Sequence, residues 1–550
     1  MSSDFQPDYR QTHQVFNQPS PLSDYNAYAS DRILSHWIKN FDGEWGETLL
    51  TDYGQLVGGS LQQAGFDANK YTPEFTPHDR FGHRVDLVNY HPAYHQLMTS
   101  AIAHGHTWLP WKEQKMGAHV VRAGIEFLHT QADPGSGCPL TMTFASVPAL
   151  QHQPSLAEHW IPKILSNQYD HRNIPYFEKN GLTIGMAMTE KQGGSDVRAN
   201  TSWATATGKD ESGTPIWEIV GHKWFCSAPM CDGFLVTANT EGGITCFLMP
   251  RWRPDGSKNP IQIQRLKDKA GNTSNASSEV EFRGAFAWQV GAIGKGIKTI
   301  LEMVAMTRFD CMVGSSSLLA LATQQALHHT KQRKAFGKYL HDQPLMQNVL
   351  ADLALESEAA LAITMRMAKA LDNQEDALIR LGTAIGKYWI CKRASLHTAE
   401  AMECIGAVGL IKDNVLARLY TESPVNAIWE GSGNVQCLDV LRVIHREPEA
   451  LTALLNEIEI GSSLNLDLKV FIEDLKIALT DIDSLEYNSR NLVEKLALAW
   501  QASTMLQHGD KLVAEAFIKA RLCQHNGLMF GTLPPGIDCM YIINRALPQL

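Results

Sequence analysis

One carboxylate stands out in the sequence for its setting. Glu430 lies in Ala427-Ile-Trp-Glu-Gly-Ser-Gly-Asn434, between a large aromatic residue, Trp429, and a Gly-Ser-Gly turn that opens a helical pattern. A carboxylate walled by apolar surface is poorly solvated, so its pKa rises toward the working range of a general base. The flanking glycines let backbone amides approach a ligand with no Cβ in the way. Alone, the octapeptide also fits a capped turn beside a surface glutamate, and the argument rests on what accompanies it.

Three other stretches carry residues suited to the same chemistry. In Met186-Ala-Met-Thr-Glu-Lys-Gln-Gly-Gly-Ser-Asp-Val-Arg-Ala-Asn200 a strand ending at Thr189 runs into adjacent glycines, then Ser195 and Asp196. Such a loop offers hydroxyls and free amides to a planar polar ring or to phosphates, although Gly-Gly-Ser-Asp by itself is more often a plain turn. Gly221-His-Lys-Trp-Phe-Cys-Ser-Ala228 reads as a strand with aromatics beside a hydroxyl, which a core strand would also show. Gln332-Arg-Lys-Ala-Phe-Gly337, with Gln343 beyond it, is a basic-aromatic turn between two helices, by default a solvated connection. His104 and His106 suggest a metal pair, but no third ligand follows at helical spacing. Hydrogen-bonded core histidines explain them better, and no metal site is expected.

The elements that must position these residues follow from periodicity. Residues 1 to about 30, rich in Pro, Ser, Asn and Gln, are expected to be extended and to lie over another part of the molecule. From 31 to 181 the pattern is mostly helical, with apolar residues three and four apart in 93–107 and 115–130. Short β-rich runs then fall at 183–188, 202–207, 216–220, 233–238, 244–249 and 261–266, with turn residues between them. They predict a small β-sandwich or barrel. Residues 293–329 read as a long helix, and Pro344 opens the next, where its missing amide proton is tolerated. With helices over 377–406 and from the Glu430 turn to Arg446, these make an up-and-down bundle. Further helical segments, such as 471–479 and 491–507, follow. The fold class is therefore α+β, mainly α. Four parts are expected: an N-terminal helical domain with an extended arm (1–181), a middle β-domain (182–291), a helical bundle (292–447) and an added C-terminal helical domain (448–550). The order does not match an alternating strand–helix fold, and no GxGxxG follows a strand.

Composition bounds the function. A chain of 550 residues is too long for one hydrophobic core. Its net charge of −10 argues against a surface built wholly for nucleic acid. The ten cysteines show no regular spacing, and the closest pair, Cys226 and Cys231, lacks a second pair to complete a zinc site. They read as reduced thiols. The first residues lack the pattern of a signal peptide, and no run of about 18 apolar residues occurs, so a cytoplasmic protein without a membrane segment is expected.

In this order the four stretches resemble the acyl-CoA dehydrogenase family. Its members carry Met/Val-Thr-Glu-x-x-x-Gly-Ser-Asp on the first strand of a middle β-domain and Gly-x-Lys-x-Trp/Phe-x-Thr/Ser on a later one. They also carry Arg-x-x-Phe-Gly in the C-terminal bundle and Tyr/Trp-Glu-Gly-Thr/Ser near its end. The likeness covers roughly residues 140–446. Arg-Leu-Lys-Asp-Lys (265–269), Asn-Ala-Ser (275–277) and Met-Thr-Arg-Phe-Asp (306–310) are similar to the adaptive-response, AidB-type branch, as are the long N-terminal region and the added C-terminal part.

The resemblance implies FAD between the β-domain and the bundle. It places Met186, Met188 and Thr189 at the flavin ring, Ser195 near the pyrophosphate or the thioester, and Phe225, Cys226 and Ser227 on the other face. Arg333, Phe336 and Gln343 would reach the cofactor of a neighbouring subunit, implying a homo-oligomer, a dimer of dimers. Trp429, Gly431, Ser432 and Asn434 would complete the pocket around Glu430. The reaction implied is α,β-dehydrogenation of an acyl-CoA thioester: Glu430 removes the α-proton and the β-hydride passes to flavin N5. An electron-transfer partner would then reoxidise the cofactor. Where much of the family has Ile-Thr-Asn-Gly, this chain has Cys226-Ser-Ala-Pro229, which alters the wall beside the flavin.

The branch is also linked to the response to DNA alkylation and to binding duplex DNA through its C-terminal domain, an alternative in which FAD is mainly structural. Phosphate contacts need clustered positive charge. Residues 451–550 hold eight Lys and Arg against twelve Asp and Glu, clustered only at Lys519 and Arg521, with Arg442 and Arg446 just upstream. That alternative rests on kinship more than on this sequence.

Overall fold

The computed structural model describes residues 10, 12–480, 484–523 and 527–550. Residues 1–9 and 11 of the arm lie outside them. Its described part runs along the turn after Gln332. There Asn17, in a left-handed conformation (φ 55°), pairs its side-chain amide with both the N–H and the C=O of Lys334. The Arg333 guanidinium donates to the Asn17 carbonyl, and Gln332 Oε1 accepts from the Ser20 amide and hydroxyl.

The N-terminal region is helical, with one departure. A hairpin, β1 (Glu74–His78) and β2 (Arg84–Asn89), interrupts it, where the sequence reading expects helices and connections only. Its alternation is short and charged, and what fixes it is distant. Asp86 accepts from the Ile263 amide at 3.1 Å, and Arg84 and Lys258 each donate to a backbone carbonyl across the same junction, Ile263 and Val85 respectively. The hairpin thus leans on the edge of the middle sheet.

That sheet contains β3 (Ile184–Ala187), β4 (Trp203–Lys209), β5 (Pro215–Ser227), β6 (Gly233–Thr240), β7 (Gly243–Pro250), β8 (Ile261–Leu266) and β9 (Ser277–Val290). β6, β7, β9, β5 and β4 form a closed ring, sealed by one bridge between Trp203 and Asn239. β3 adds in parallel to β6, and β8 pairs with the first half of β9. Two runs expected separately, 216–220 and the 221–228 stretch, are one strand, β5. The 14-residue β9 is absent from the sequence reading. Gly284 breaks its alternation: it takes φ 76° at a register shift opposite Ile219 and Val220, a bulge that lets one strand serve three partners.

After the sheet come the long helices Gly296–Gln332, Pro344–Asp372 and Asp376–Ile405, then Gly433–Arg446. Pro344 stands at the first helical position, as its fixed φ favours. Five further helices, from Pro448–Ser462 to Cys539–Ala546, pack on the bundle among the described residues. Buried ion pairs tie them down: Arg521 to Asp352 and Glu356, and Arg545 to Glu358. Two apolar cores result, one through the helical parts and one joining the sheet to helices Pro134–Gln151 and Pro154–Ile164 and to the start of Gly296–Gln332. Met306 touches both, and the large cavity lies at that junction.

Candidate active site

The cavity holds about 1270 Å³, more than one small ligand needs. It draws its walls from β3 and the loop after it, from β5, from helices Pro134–Gln151 and Gly296–Gln332, and from the Glu430 turn. Of the residues singled out in the sequence, Met186, Met188, Thr189, Ser195, Phe225, Ser227, Trp429, Glu430, Gly431 and Ser432 all line it. They come from three stretches spread over some 250 residues, so only the fold brings them together.

Five others lie elsewhere. Alternation along β5 sends Phe225 and Ser227 to the cavity and turns Cys226 into the sheet core, where it is 2% exposed. Asn434 points away and accepts from Arg490 Nε at 2.9 Å. Arg333, Phe336 and Gln343 form a turn outside the chain's own cavity. Phe336 is 99% exposed with φ 53°, a conformation a bulky residue rarely keeps.

Glu430 itself has φ 58°. Its carbonyl accepts from Arg308 Nε at 3.0 Å and from Gln436 Nε2 at 3.1 Å. Gly431 follows with φ 100°, where a Cβ would meet Gln436 Nε2 at 2.7 Å, so only glycine fits. Left-handed backbone on a non-glycine residue costs on the order of 1 to 3 kcal/mol and persists where surroundings over-determine it. Burial pushes the Glu430 carboxyl above its ordinary pKa; Arg308, Lys387 and the Thr307 hydroxyl pull the other way. Burial is the largest of these effects, so the carboxyl stays above its ordinary value.

The Met-Thr-Glu and Gly-His-Lys motifs meet in one buried pair. Lys223 Nζ lies 2.9 Å from Glu190, both fully buried, and also donates to the Thr237 carbonyl. Glu190 further accepts from the Thr201 and Ser202 amides, pinning both ends of the Gly193–Gly194 loop. Burial alone would raise the Glu190 pKa, but Lys223 and these donors hold it well below the carboxylate range. At Gly194 a Cβ would fall 2.5 Å from Thr189 Oγ1, so the loop folds back tightly beside the hydroxyl.

Arg308, Lys387, Gln436 and the Glu190–Lys223 pair were not found by sequence reasoning. Lys387 had one signal, a charge alone in the apolar run Leu381-Gly-Thr-Ala-Ile-Gly-Lys-Tyr-Trp-Ile390. His106, by contrast, is buried against Glu126, as expected of a core histidine. Among the described residues no group of three or more His, Cys, Asp or Glu could hold a metal, and no helix is long and apolar enough to cross a membrane.

The cavity's lining fits a flavin. Met186, Met188, Phe225 and Trp429 offer flat apolar contact, Thr189, Ser195 and Ser227 offer hydroxyls, and the 193–198 loop is open to solvent.

Comparison with known proteins agrees with this architecture. Three family models match in succession: the adaptive response protein AidB N-terminal domain over residues 17–171, the acyl-CoA dehydrogenase middle domain over 185–285, and the acyl-CoA dehydrogenase C-terminal domain over 294–445. The putative acyl-CoA dehydrogenase AidB of Escherichia coli is 46% identical over 444 residues, 80% of this chain and 81% of that one. Among solved structures, Caenorhabditis elegans ACDH-11 in complex with C11-CoA superposes with a TM-score of 0.84 at 23% identity, covering 93% of this chain and 94% of that one. An acyl-CoA dehydrogenase complexed with FAD from Bacillus anthracis gives 0.64 at 15%, covering 94% and 86%. The chain belongs to the acyl-CoA dehydrogenase family, in its AidB-type branch. That membership defines an oxidoreductase class whose cofactor is FAD.

Proposed function

We propose that this protein binds FAD in the cavity and dehydrogenates an acyl-CoA thioester between its α- and β-carbons, with Glu430 as the base. The observation that carries this reading is the Glu430 turn, a carboxylate facing a large cavity on a backbone held in a costly conformation by two donors to its carbonyl. Met186, Met188, Thr189, Ser195, Phe225 and Ser227 would hold the cofactor. When bound, FAD supplies the acceptor for the β-hydride. Glu430 takes the α-proton, and its burial keeps the carboxylate poorly solvated and basic enough for the task. In this reading the Glu430 amide would polarise the thioester carbonyl and so stabilise the charge that develops as the proton leaves. Trp429, half-buried and anchored through Nε1 to Asn426 Oδ1, excludes water from one side. A thioester substrate is supported by the relative solved with C11-CoA. Reoxidation by an electron-transfer flavoprotein and assembly as a dimer of dimers belong to the same reading.

The test is anaerobic addition of an acyl-CoA chain-length panel to the purified, yellow protein. At least one member should bleach the flavin, and Glu430→Gln should lower that rate by about a hundredfold or more. Bleaching at the parental rate in Glu430→Gln would sink the assignment of the base.

A further inference from the structure

Lys387 sits near the middle of helix Asp376–Ile405, 1% exposed. Burying an ammonium is costly unless its donors are satisfied, and the usual partner is a carboxylate. Here both hydrogen bonds go to backbone carbonyls, Asn426 at 3.0 Å and Gly431 at 2.9 Å. Those carbonyls bracket the turn that carries Glu430. Gln436, also fully buried, shares the Gly431 carbonyl at 3.0 Å and bonds the Glu430 carbonyl. The same turn is anchored outward by Asn426 Nδ2 on Ser315 Oγ at 3.2 Å.

We propose that Lys387 is a positioning residue for the base: its ammonium clasps the turn across Asn426 and Gly431, holds Glu430 in its left-handed conformation, and supplies a fixed positive charge beneath it. This rests on Glu430 being the base. A neutral donor would suffice to tie the carbonyls, and a cation does more, because it favours the ionised form of a carboxylate nearby.

Glu126, Asp310, Glu422, Arg442 and Arg446 line the same cavity as Glu430, and other charged and titratable groups pack around the turn. Arg308 faces Glu430 from helix Gly296–Gln332, with Asp439 of Gly433–Arg446 behind it at 3.0 Å. Cys311 on that same helix and Cys138 on Pro134–Gln151 both feel the Glu430 charge, and burial pushes both thiols up, Cys138 to about 12. Lys269 of the middle sheet acts on Cys138. Cys391, beside Lys387, is likewise held neutral by burial. Arg308 and Lys387 are thus the cations that act on the base, and of the two only Lys387 bridges the turn from Asn426 to Gly431.

The experiment uses the full-length flavoprotein and three variants. Lys387→Met keeps the volume and removes charge and donors, Lys387→Gln keeps one donor without charge, and Gln436→Leu removes the uncharged half of the clasp. The first readout needs no turnover: pH-difference infrared spectra of each protein against its Glu430→Gln counterpart isolate the Glu430 carboxyl band. Its midpoint should move to higher pH in both Lys387 variants and stay in place in Gln436→Leu. The second is exchange of the acyl-CoA α-proton with solvent, which should slow more at low pH than at high pH in Lys387→Met, following the lost ionised fraction. An unmoved midpoint in a folded Lys387→Met or Lys387→Gln protein overturns the proposal. Should Lys387→Met fail to fold, Lys387→Gln gives the same reading. A midpoint that moves while the parent bleaches with no acyl-CoA would leave the clasp standing and reject Glu430 as a dehydrogenation base.

Discussion

Eight residues before the base, Glu422 is another carboxylate on the cavity wall, and its behaviour is opposite to that of Glu190. Burial, then Asp133, raises its pKa to about 7, against donation from the Asn272 amide at 2.7 Å. The native state therefore keeps a proton that the unfolded chain loses. Stability attributable to this group falls as pH rises from about 4.5 through 7, and the penalty is complete above that. Two and a half pH units correspond to on the order of 3 kcal/mol. Glu422→Gln, which can still accept from Asn272, should melt close to the parent near pH 5 and well above it at pH 8. A variant with the same pH dependence as the parent would reject this account. Legibility at this scale was uneven. Glu430 announced itself through Trp429 and the glycines beside it, because those local features already imply a desolvated turn. Arg308 and Lys387 did not, because the backbone carbonyls they bond are far along the chain, and sequence carries no signal for which carbonyl a cation will find.

The strands flanking the cavity hold their shape through a few buried contacts rather than through sheet pairing alone. β3 ends at Ala187, and the loop beyond it is fixed by Glu190, whose oxygens reach Lys223, Thr201 and Ser202. Removing one member of a buried pair strands the other charge, at a cost of about 3 to 5 kcal/mol. Lys223→Met and Glu190→Gln should each lower the melting temperature markedly and release flavin, and the double variant should lose less than the sum, since neither charge is then orphaned. Full additivity would mean the two side chains act separately. β5 was readable from its aromatics and β8 from its alternation. β9 was not, because a bulge at Gly284 divides its pattern. The β1–β2 hairpin escaped for a related reason: its strands are fixed by contacts to Ile263 and Lys258, far along the chain.

At the scale of the whole molecule, the turn at Arg333–Gln343 is an exposed feature outside the chain's own cavity. A phenylalanine wholly in water, on strained backbone, suits insertion into another surface better than solvation. The N-terminal arm braces it through Asn17 and Ser20. Phe336→Ala should change the stability of the isolated chain by less than about 0.5 kcal/mol, as exposed substitutions do, while FAD retention and the share of the proposed tetramer in light scattering both fall. Unchanged flavin content and assembly would reject the role. In the added helices Lys476 pairs with Glu459, Lys511 lies 4.0 Å from Glu515, and Arg521 and Arg545 are spent on the bundle, which breaks up the Lys519–Arg521 cluster. Arg442 and Arg446 line the cavity instead of extending a patch on those helices.

The hairpin has a further consequence, in time rather than in space. Arg84 and its acceptor Ile263 are 179 residues apart. A ribosome adding 5 to 20 residues per second needs roughly 10 to 35 s to cover that interval. For that period the hairpin is outside the ribosome with its docking edge not yet made. A nascent chain of this protein therefore waits, half-finished, with two short strands held only by each other, and the sheet that receives them is also the one that completes the cavity.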